Sequence, residues 1–186
     1  MSVSELAKEF FRVIEGQFGP FDRPIQFRPF PFDAGGALNF LTVGAGQKTC
    51  VTYISWDLFG HPKQKRGSLG RYEVLALTDD EDWCIDVLTR VGNQCLQDLF
   101  KPGDTLDIAQ WTSPNAAMQG IIFEEAFKTR LRSGERCGLL RCIGVARQEL
   151  EFAVRQGVPA LIEHLKRNDI YPRSMTHRAP VKLPAL

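Results

Sequence analysis

The chain has 186 residues, of which 44% are hydrophobic and 24% charged, with a formal net charge of +1. This length suits a single well-packed domain, and the near-neutral charge provides no field that would favour nucleic acid or an anionic membrane surface. No apolar run approaches the roughly 20 residues that span a bilayer. The five cysteines, an odd and scattered set, are typical of reduced thiols. We therefore expect a globular protein of the cytoplasm.

The first third of the sequence predicts one helix and then extended segments. Apolar residues recur at helical spacing through 3–15, and Gly16 together with the pair Gly19-Pro20 is expected to end the helix. The proline-rich stretch 20–32 predicts a sheet edge or a loop, because proline donates no hydrogen bond to a central strand. The runs "LNFLTV" (38–43) and "TCVTYIS" (49–55) predict a hairpin.

The remaining pattern predicts one long helix among several strands. "RYEVLAL" (71–77) alternates in the manner of a half-buried strand, and a helix is expected over about 80–100. Strands are expected at 104–111, 120–127 and 137–143. Since strands mostly follow one another, we predict an α+β fold with a largely antiparallel or mixed sheet flanked by helices. The apolar face of the long helix should comprise Cys84, Val87, Leu88, Val91, Cys95 and Leu99.

One glycine cluster imitates a phosphate-binding loop. In "VGAGQKTC" (43–50), Lys48 and Thr49 follow glycines after a strand. The motif requires a glycine directly before the lysine and another five residues earlier, where this chain has Gln47 and Thr42. The motif also requires a helix directly after the loop, because the helix N-terminus helps to bind the phosphate, but the residues that follow here have a strand pattern. We interpret this segment as a hairpin turn.

Other signals of catalysis or metal binding are incomplete. "RGSLG" has Arg66 where a nucleophile elbow begins with glycine. Cys137 and Cys142 lack the two-residue spacing of a zinc or redox pair and would point to opposite faces of a strand. The three histidines are far apart in sequence. We therefore predict no catalytic residues, no metal and no cofactor.

The chain has an acidic turn and a basic loop, and either could be a surface that binds a partner. Capping of the long helix accounts for most of the acidic turn "TDDEDW", but an exposed patch for a basic partner is an alternative. Trp56 is a candidate exposed aromatic residue. The basic loop "HPKQKRGSLG" has no interleaved aromatic residues that could stack bases, so no nucleic-acid partner is predicted. The predicted partner-binding residues are Asp79, Asp80, Glu81, Asp82 and Trp56.

The segment "RQELEFAVRQGVPALIEHL" (147–165) has two helical patterns joined at a glycine, so it can be compared with a DNA-binding helix-turn-helix. Gly157 and Ala153 fit the turn, but the positions that should bury the second helix are Glu163 and Lys166. Gly157 can cap the first helix, and Pro159 is tolerated in the first turn of the second. We predict two scaffold helices rather than a DNA-reading motif.

These blocks together resemble the suppressor of fused (SUFU) family. Its C-terminal helix pair is similar to 147–165, and Arg173 or Arg178 falls where members often carry a closing arginine. Ile54 stands where the family usually has glycine. The resemblance covers roughly residues 3–178, leaving 179–186 as a tail. The other similar blocks are "VTYIS", "GRYEVLAL", the "W…VL" of the following helix and "PGDTLDI".

The resemblance implies an α+β fold and no known catalytic activity. Animal members bind a transcription factor of the Hedgehog pathway, and several single-domain bacterial members are similar to immunity proteins or antitoxins. We therefore expect a non-enzymatic module that binds and neutralises a partner toxin. The alternatives are a housekeeping homodimer, or an unfamiliar enzyme with a pocket that gathers Asp57, His61 and a cysteine.

Overall fold

The computed structural model of the chain describes residues 2–22, 24–25, 32, 35–44, 46 and 50–184. Within them the strands form one seven-stranded sheet in the order β1-β2-β3-β4-β7-β6-β5. The strands are β1 (Pro24–Ile25), β2 (Phe40–Val43), β3 (Val51–Ser55), β4 (Arg71–Thr78), β5 (Thr105–Asp107), β6 (Gly120–Arg130) and β7 (Arg136–Val145). The helices are α1 (Val3–Phe18), α2 (Glu81–Gln97), α3 (Arg147–Gln156) and α4 (Val158–Arg167), with a one-turn 3₁₀ helix at Ala109–Trp111.

The sheet confirms the predicted mixed α+β fold. Neighbouring strands are antiparallel except β4 and β7, which run parallel. The predicted hairpin is confirmed, with Phe40 opposite Ser55 and Val43 opposite Thr52. Residues 45 and 47–49 of its turn, and 23 and 26–31 of the proline-rich stretch, lie outside the described residues. The described part of that stretch includes β1, a two-residue edge strand, as its prolines predict.

The expectation of a half-buried β4 is wrong. Its Glu73 and Leu75 are as buried as its Val74 and Ala76. β4 is central in the sheet, between β3 and β7, and both of its faces are covered by helices or loops. The alternating residues of β4 therefore distinguish the two faces of the strand, but neither face is exposed to solvent.

The long helix is confirmed over Glu81–Gln97, and its Asp80 accepts a hydrogen bond from the Trp83 amide (2.9 Å) as an N-cap. One residue assigned to its apolar face is wrong. Leu99 lies beyond the end of the helix and is 42% exposed, whereas Leu96 is buried in its place. The predicted strand 104–111 is also shorter than expected, because the 3₁₀ turn replaces its second half.

The helices cover the two faces of the sheet unequally. α2 packs on one face, where its Val87 and Leu88 meet Val74 and Leu140. On the other face α1 covers one end of the strands, and α3 with α4 covers the end where β7 finishes. Ile54, the departure from the family's glycine, is buried beneath α1.

The C-terminal segment after α4 is bonded to this body. Ser174 lies between β4 and β7: its amide donates to the Leu77 carbonyl (2.7 Å), and its hydroxyl accepts from the Gly144 amide (2.8 Å). Further along, Val181 is buried against α3 and α4. Packing of the described chain therefore continues past residue 178.

Candidate partner-binding groove

β5 leaves one of its edges without a strand partner among the described residues, because it is last in the sheet order. The Ile108 amide donates to Gln119 and the Phe123 amide to Asp104, each at 3.0 Å, so the even-numbered residues of this segment face β6. Backbone groups alternate along a strand. The N–H and C=O groups of Thr105 and Asp107 therefore point away from the sheet.

A groove of about 360 Å³ lies between β5 and α3, and Thr105 and Asp107 of this edge strand are among its lining residues. α3 forms its opposite wall, with the buried Leu150 at the floor and Val154 above it. Val154 is 66% exposed, the highest value among the exposed large hydrophobic residues of the described chain. An open strand edge beside an apolar helix face can accept an added strand, with backbone hydrogen bonds on one side and side-chain contacts on the other.

Ion pairs close one end of the groove. Arg147 of α3 bonds to Asp107 of β5 and also to Glu151 (3.2 Å). The Ala109 amide and the Arg147 guanidinium hold the pKa of Asp107 below its usual value. Because the Arg147 and Asp107 side chains are 51% and 52% exposed, solvent screens this pair and an incoming strand could displace it at small cost.

The acidic turn serves the fold as well as the surface. Besides the helix cap from Asp80, Asp79 accepts from the Thr176 amide (3.3 Å) and Glu81 from the Tyr53 hydroxyl (3.3 Å). Asp82 is exposed on the first turn of α2. The turn lies at the same end of the sheet as Asp107, three strands away from β5.

Trp56 is not part of the surface formed by the acidic turn. β3 and β4 pair with Val51 opposite Thr78 and Ile54 opposite Leu75, so Trp56 lies at the other end of this ladder. About six residues of extended chain, roughly 20 Å, separate the two levels. Trp56 is also half-buried rather than exposed, which corrects the expectation from the sequence.

The clefts that we describe do not include the alternative enzymatic pocket. Asp57 accepts hydrogen bonds from the backbone and side-chain amides of Asn39, and the backbone amide of Lys63 donates to His61 Nδ1 (3.2 Å). Burial raises the pKa of Asp57, although the Asn39 bonds oppose this. None of the five clefts that we describe is lined by a histidine or a cysteine. The described residues also contain no group of three potential metal ligands.

A buried carboxyl anchors the loop that follows β3. Glu73 accepts hydrogen bonds from the Ser55 hydroxyl and from the amides of Leu58 (3.3 Å) and Phe59 (2.6 Å). Burial raises the pKa of Glu73 to about 8 against the opposing effect of these donors. Glu73 is 0% exposed, so its role is to hold the scaffold rather than to meet a ligand.

The sequence did not reveal the groove. Thr105 and Asp107 belong to a segment whose pattern predicts a longer strand, and the pattern does not indicate which strands pair with it. One signal was present: Val154 is apolar but lies off the buried stripe of α3, which contains Leu150, Phe152 and Ala153. An apolar residue on the polar side of a helix indicates a contact surface only when its surroundings are known.

The mixed seven-stranded sheet with helices on both faces defines an α+β domain. The sequence profile of the family described as "Suppressor of fused protein (SUFU)" matches residues 37–178. The chain therefore belongs to the suppressor of fused family, as the sequence blocks predicted. A search of curated proteins finds no match.

Solved structures confirm the fold. A chain of "the Sufu-Fu complex crystal structure" superposes with a TM-score of 0.68 at 14% identity, covering 96% of this chain and 91% of that one. The crystal structure of Drosophila Suppressor of Fused gives a TM-score of 0.67 at 16% identity. That comparison covers 95% of this chain and 50% of the Drosophila chain, so the present chain spans half of its length.

None of the helices among the described residues is both long and apolar enough to cross a membrane. All five cysteines are free thiols, four of them buried and Cys50 partly exposed. Cys137 and Cys142 belong to different core clusters on opposite faces of β7, as their spacing predicted.

Proposed function

We propose that the chain is a non-enzymatic binding module that takes an extended segment of a protein partner by strand addition to β5. The observation that carries this is the outward-facing backbone of Thr105 and Asp107 beside the exposed Val154. Main-chain hydrogen bonds would supply affinity along the strand, and contacts with α3 would supply selectivity. The structure of a Sufu-Fu complex supports a protein partner, since it shows a related fold bound to another protein.

The role that we propose for this module is that of a cytoplasmic immunity protein or antitoxin. Such a protein binds its toxin stoichiometrically and needs no catalytic group. The acidic turn Asp79, Asp80, Glu81 and Asp82 would attract a basic toxin to this end of the sheet, because complementary charge speeds encounter more than it strengthens the complex. Trp56 would belong to a separate contact, if any, at the other end.

A housekeeping homodimer is less well supported. Stable dimers bury a contiguous apolar patch on each copy. The exposed large hydrophobic residues of the described chain are scattered over α1, the segment just after α2, and α3: Val3, Val13, Leu99 and Val154. Molecular mass measured over a range of concentrations would expose a dimer directly.

The proposal is tested by affinity capture from lysate of the source cells with matched variants. Val154→Arg places a charge in the groove, and Val13→Arg makes the same change on exposed α1. We expect one stoichiometric partner with wild type and Val13→Arg, and loss of it with Val154→Arg. Equal capture by all three proteins would show that the groove is not the site.

The toxin role needs a second experiment with the captured partner. Expression of an immunity protein's partner alone should arrest growth, and co-expression with the wild-type chain should restore it, while Val154→Arg should not. A partner that leaves growth unchanged would refute the immunity role and leave the binding module intact.

A further inference from the structure

The turn between β6 and β7 lies at the end of the sheet opposite to the groove. Arg130 pairs with Arg136 next to this turn. At the other end of β6, Gly120 pairs with Asp107 of β5, in the groove. The ten residues of β7 span roughly 30 Å when extended. A partner in the groove therefore lies well away from the turn.

Three segments are bonded to one another around this turn, and we call the surface that they form the hairpin end. The Arg132 amide donates to Glu9 of α1 (2.8 Å). Glu135 forms an ion pair with Arg66 (3.1 Å) and lies 3.4 Å from Arg71 Nε. The surface is therefore continuous. Its segments are 3–13 of α1, the loop 60–71 and the turn 130–136.

The hairpin end has a large excess of positive charge. Its three segments contain nine Lys or Arg residues and three Glu residues. Glu5 and Glu9 each accept from a backbone amide, at 2.6 and 2.8 Å, and Glu135 is shared by two arginines. Six exposed cations of this surface form no ion pair with a carboxylate of the described chain: Lys8, Arg12, Lys65, Arg130, Arg132 and Arg136.

The net charge of the whole chain, +1, hides this local excess. Carboxylates gather at the opposite end of the sheet, where the acidic turn follows β4 and Asp107 ends β5. The expectation from net charge, that no field favours an anionic surface, therefore does not hold at the hairpin end.

Three of the six cations line one cleft. Lys8 and Arg12 are one helical turn apart on α1, and with Arg132 they border an open cleft of about 490 Å³. Val13 and the two bonded carboxylates, Glu5 and Glu9, complete its lining. A phosphate group can enter such a cleft and accept hydrogen bonds from the lysine and arginine donors.

Exposed aliphatic side chains accompany these cations. Val13, 36% exposed, lies in the cleft, and Val3, 45% exposed, lies over Gly60 of the loop. Leu99, 42% exposed, lies against Gly67. These are all the exposed large hydrophobic residues of the described chain except the one in the groove. They stand singly among the cations and do not form a contiguous patch.

This combination favours a lipid surface over other anionic partners. A nucleic acid would leave the aliphatic side chains without apolar contacts, and the described chain has no exposed aromatic side chain on which bases could stack. A protein interface typically has a contiguous apolar centre, which is missing here. An anionic bilayer provides phosphates for the cations and an apolar boundary for the aliphatic side chains.

We propose that the hairpin end binds the surface of a membrane that contains anionic phospholipids. The three cations of the cleft bond to headgroup phosphates, and the three aliphatic side chains reach the boundary between headgroups and acyl chains. The attachment is peripheral, and it weakens with salt because charge dominates it. This inference goes beyond the proposed function and does not depend on the groove, which stays accessible at the other end of the sheet.

The test is co-sedimentation of the full-length protein with vesicles of phosphatidylcholine alone, or of phosphatidylcholine and phosphatidylserine mixed roughly two to one. We expect binding to the mixed vesicles only, and its loss at high salt. The double variant Arg12→Gln with Arg132→Gln should bind roughly tenfold more weakly. The matched control, Arg90→Gln with Arg167→Gln, removes two exposed cations elsewhere and should bind like wild type. Leu99→Ser, which changes no charge, should weaken binding roughly threefold.

Three outcomes would overturn the proposal: no binding to the mixed vesicles, equal binding to both kinds of vesicle, or equal weakening by the two double variants. Tighter binding to duplex DNA than to mixed vesicles at equal phosphate concentration, with no effect of Leu99→Ser, would overturn it in favour of a nucleic acid. Val154→Arg should bind the vesicles at least as tightly as wild type, so this proposal and the groove can fail separately.

Discussion

Arg178 and Glu149 form a two-point ion pair that is buried from solvent. Arg178 Nη1 and Nη2 donate to the two carboxylate oxygens at 2.7 and 2.6 Å, and the side chains are 7% and 0% exposed. Glu149 also accepts from the amides of Ala146 and Val181, both at 2.8 Å. One carboxylate therefore fixes the start of α3, the wall of the groove, to the C-terminal segment.

Removal of the arginine should strongly destabilise the protein. Arg178→Ala leaves the buried Glu149 carboxylate without its cation, which typically costs about 3–5 kcal/mol. Urea denaturation monitored by circular dichroism measures this. The control is Arg90→Ala, which breaks the exposed Arg90–Asp86 pair and should cost less than about 1 kcal/mol. Similar losses in the two variants would contradict the buried pairing.

Stability should fall as pH rises through the titration of Glu73. The pKa of Glu73 is about 8 in the folded chain, above its ordinary value of 4.5, so the folded state holds the proton more tightly. This contribution is complete below pH 4.5 and is lost as the pH rises to about 8. Over that window the wild type should lose on the order of a few kcal/mol relative to Glu73→Gln, whose amide does not titrate. Parallel pH profiles of unfolding free energy for the two proteins would refute this.

A single thiol should react in the folded protein. Cys84, Cys95, Cys137 and Cys142 are buried, and burial raises the pKa of each, to about 12 for Cys95 and Cys137, whereas Cys50 is partly exposed. An aromatic disulfide reagent should therefore label only Cys50 before denaturation and all five thiols after it. Native labelling that persists in Cys50→Ser would show that the core opens.

Charge at the acidic turn should control association rate rather than folding. Asp82 is exposed and, unlike Asp80, is not the N-cap, so Asp82→Lys changes the local field with little structural effect. Association with a basic partner should slow several-fold at low salt and converge with wild type at high salt. Surface plasmon resonance measures this, with Glu15→Lys as a charge-matched control far from the turn. Equal slowing by both variants would point to net charge instead.

Local patterns predicted those elements whose cause is local. The acidic turn before α2 contains its N-cap, and Gly157, with φ of 90°, ends α3 as its position in the sequence indicated. The alternating residues of 71–77 also correctly predicted the strand β4.

The relationships that the sequence did not reveal join distant segments. β4 is central in the sheet because it pairs with β7, some sixty residues later, in a parallel register that no local alternation encodes. Helices and loops from distant parts of the chain then cover both of its faces. The sequence left Arg173 and Arg178 as equal candidates for the family's closing arginine, and the pairing of Arg178 with Glu149 depends on the path of the C-terminal segment. The groove could not be predicted for the same reason. β5 is an edge strand because of the order of strands in the sheet, and that order depends on pairing between distant segments.

Amide hydrogen exchange of β5, with and without the captured partner, tests strand addition most directly. The Leu106 amide faces β6 and should be protected in both states. We predict that the amides of Thr105 and Asp107 exchange rapidly in the free protein and become slow in the complex. Unchanged exchange at these two amides, with new protection confined to another surface, would contradict the proposed binding site.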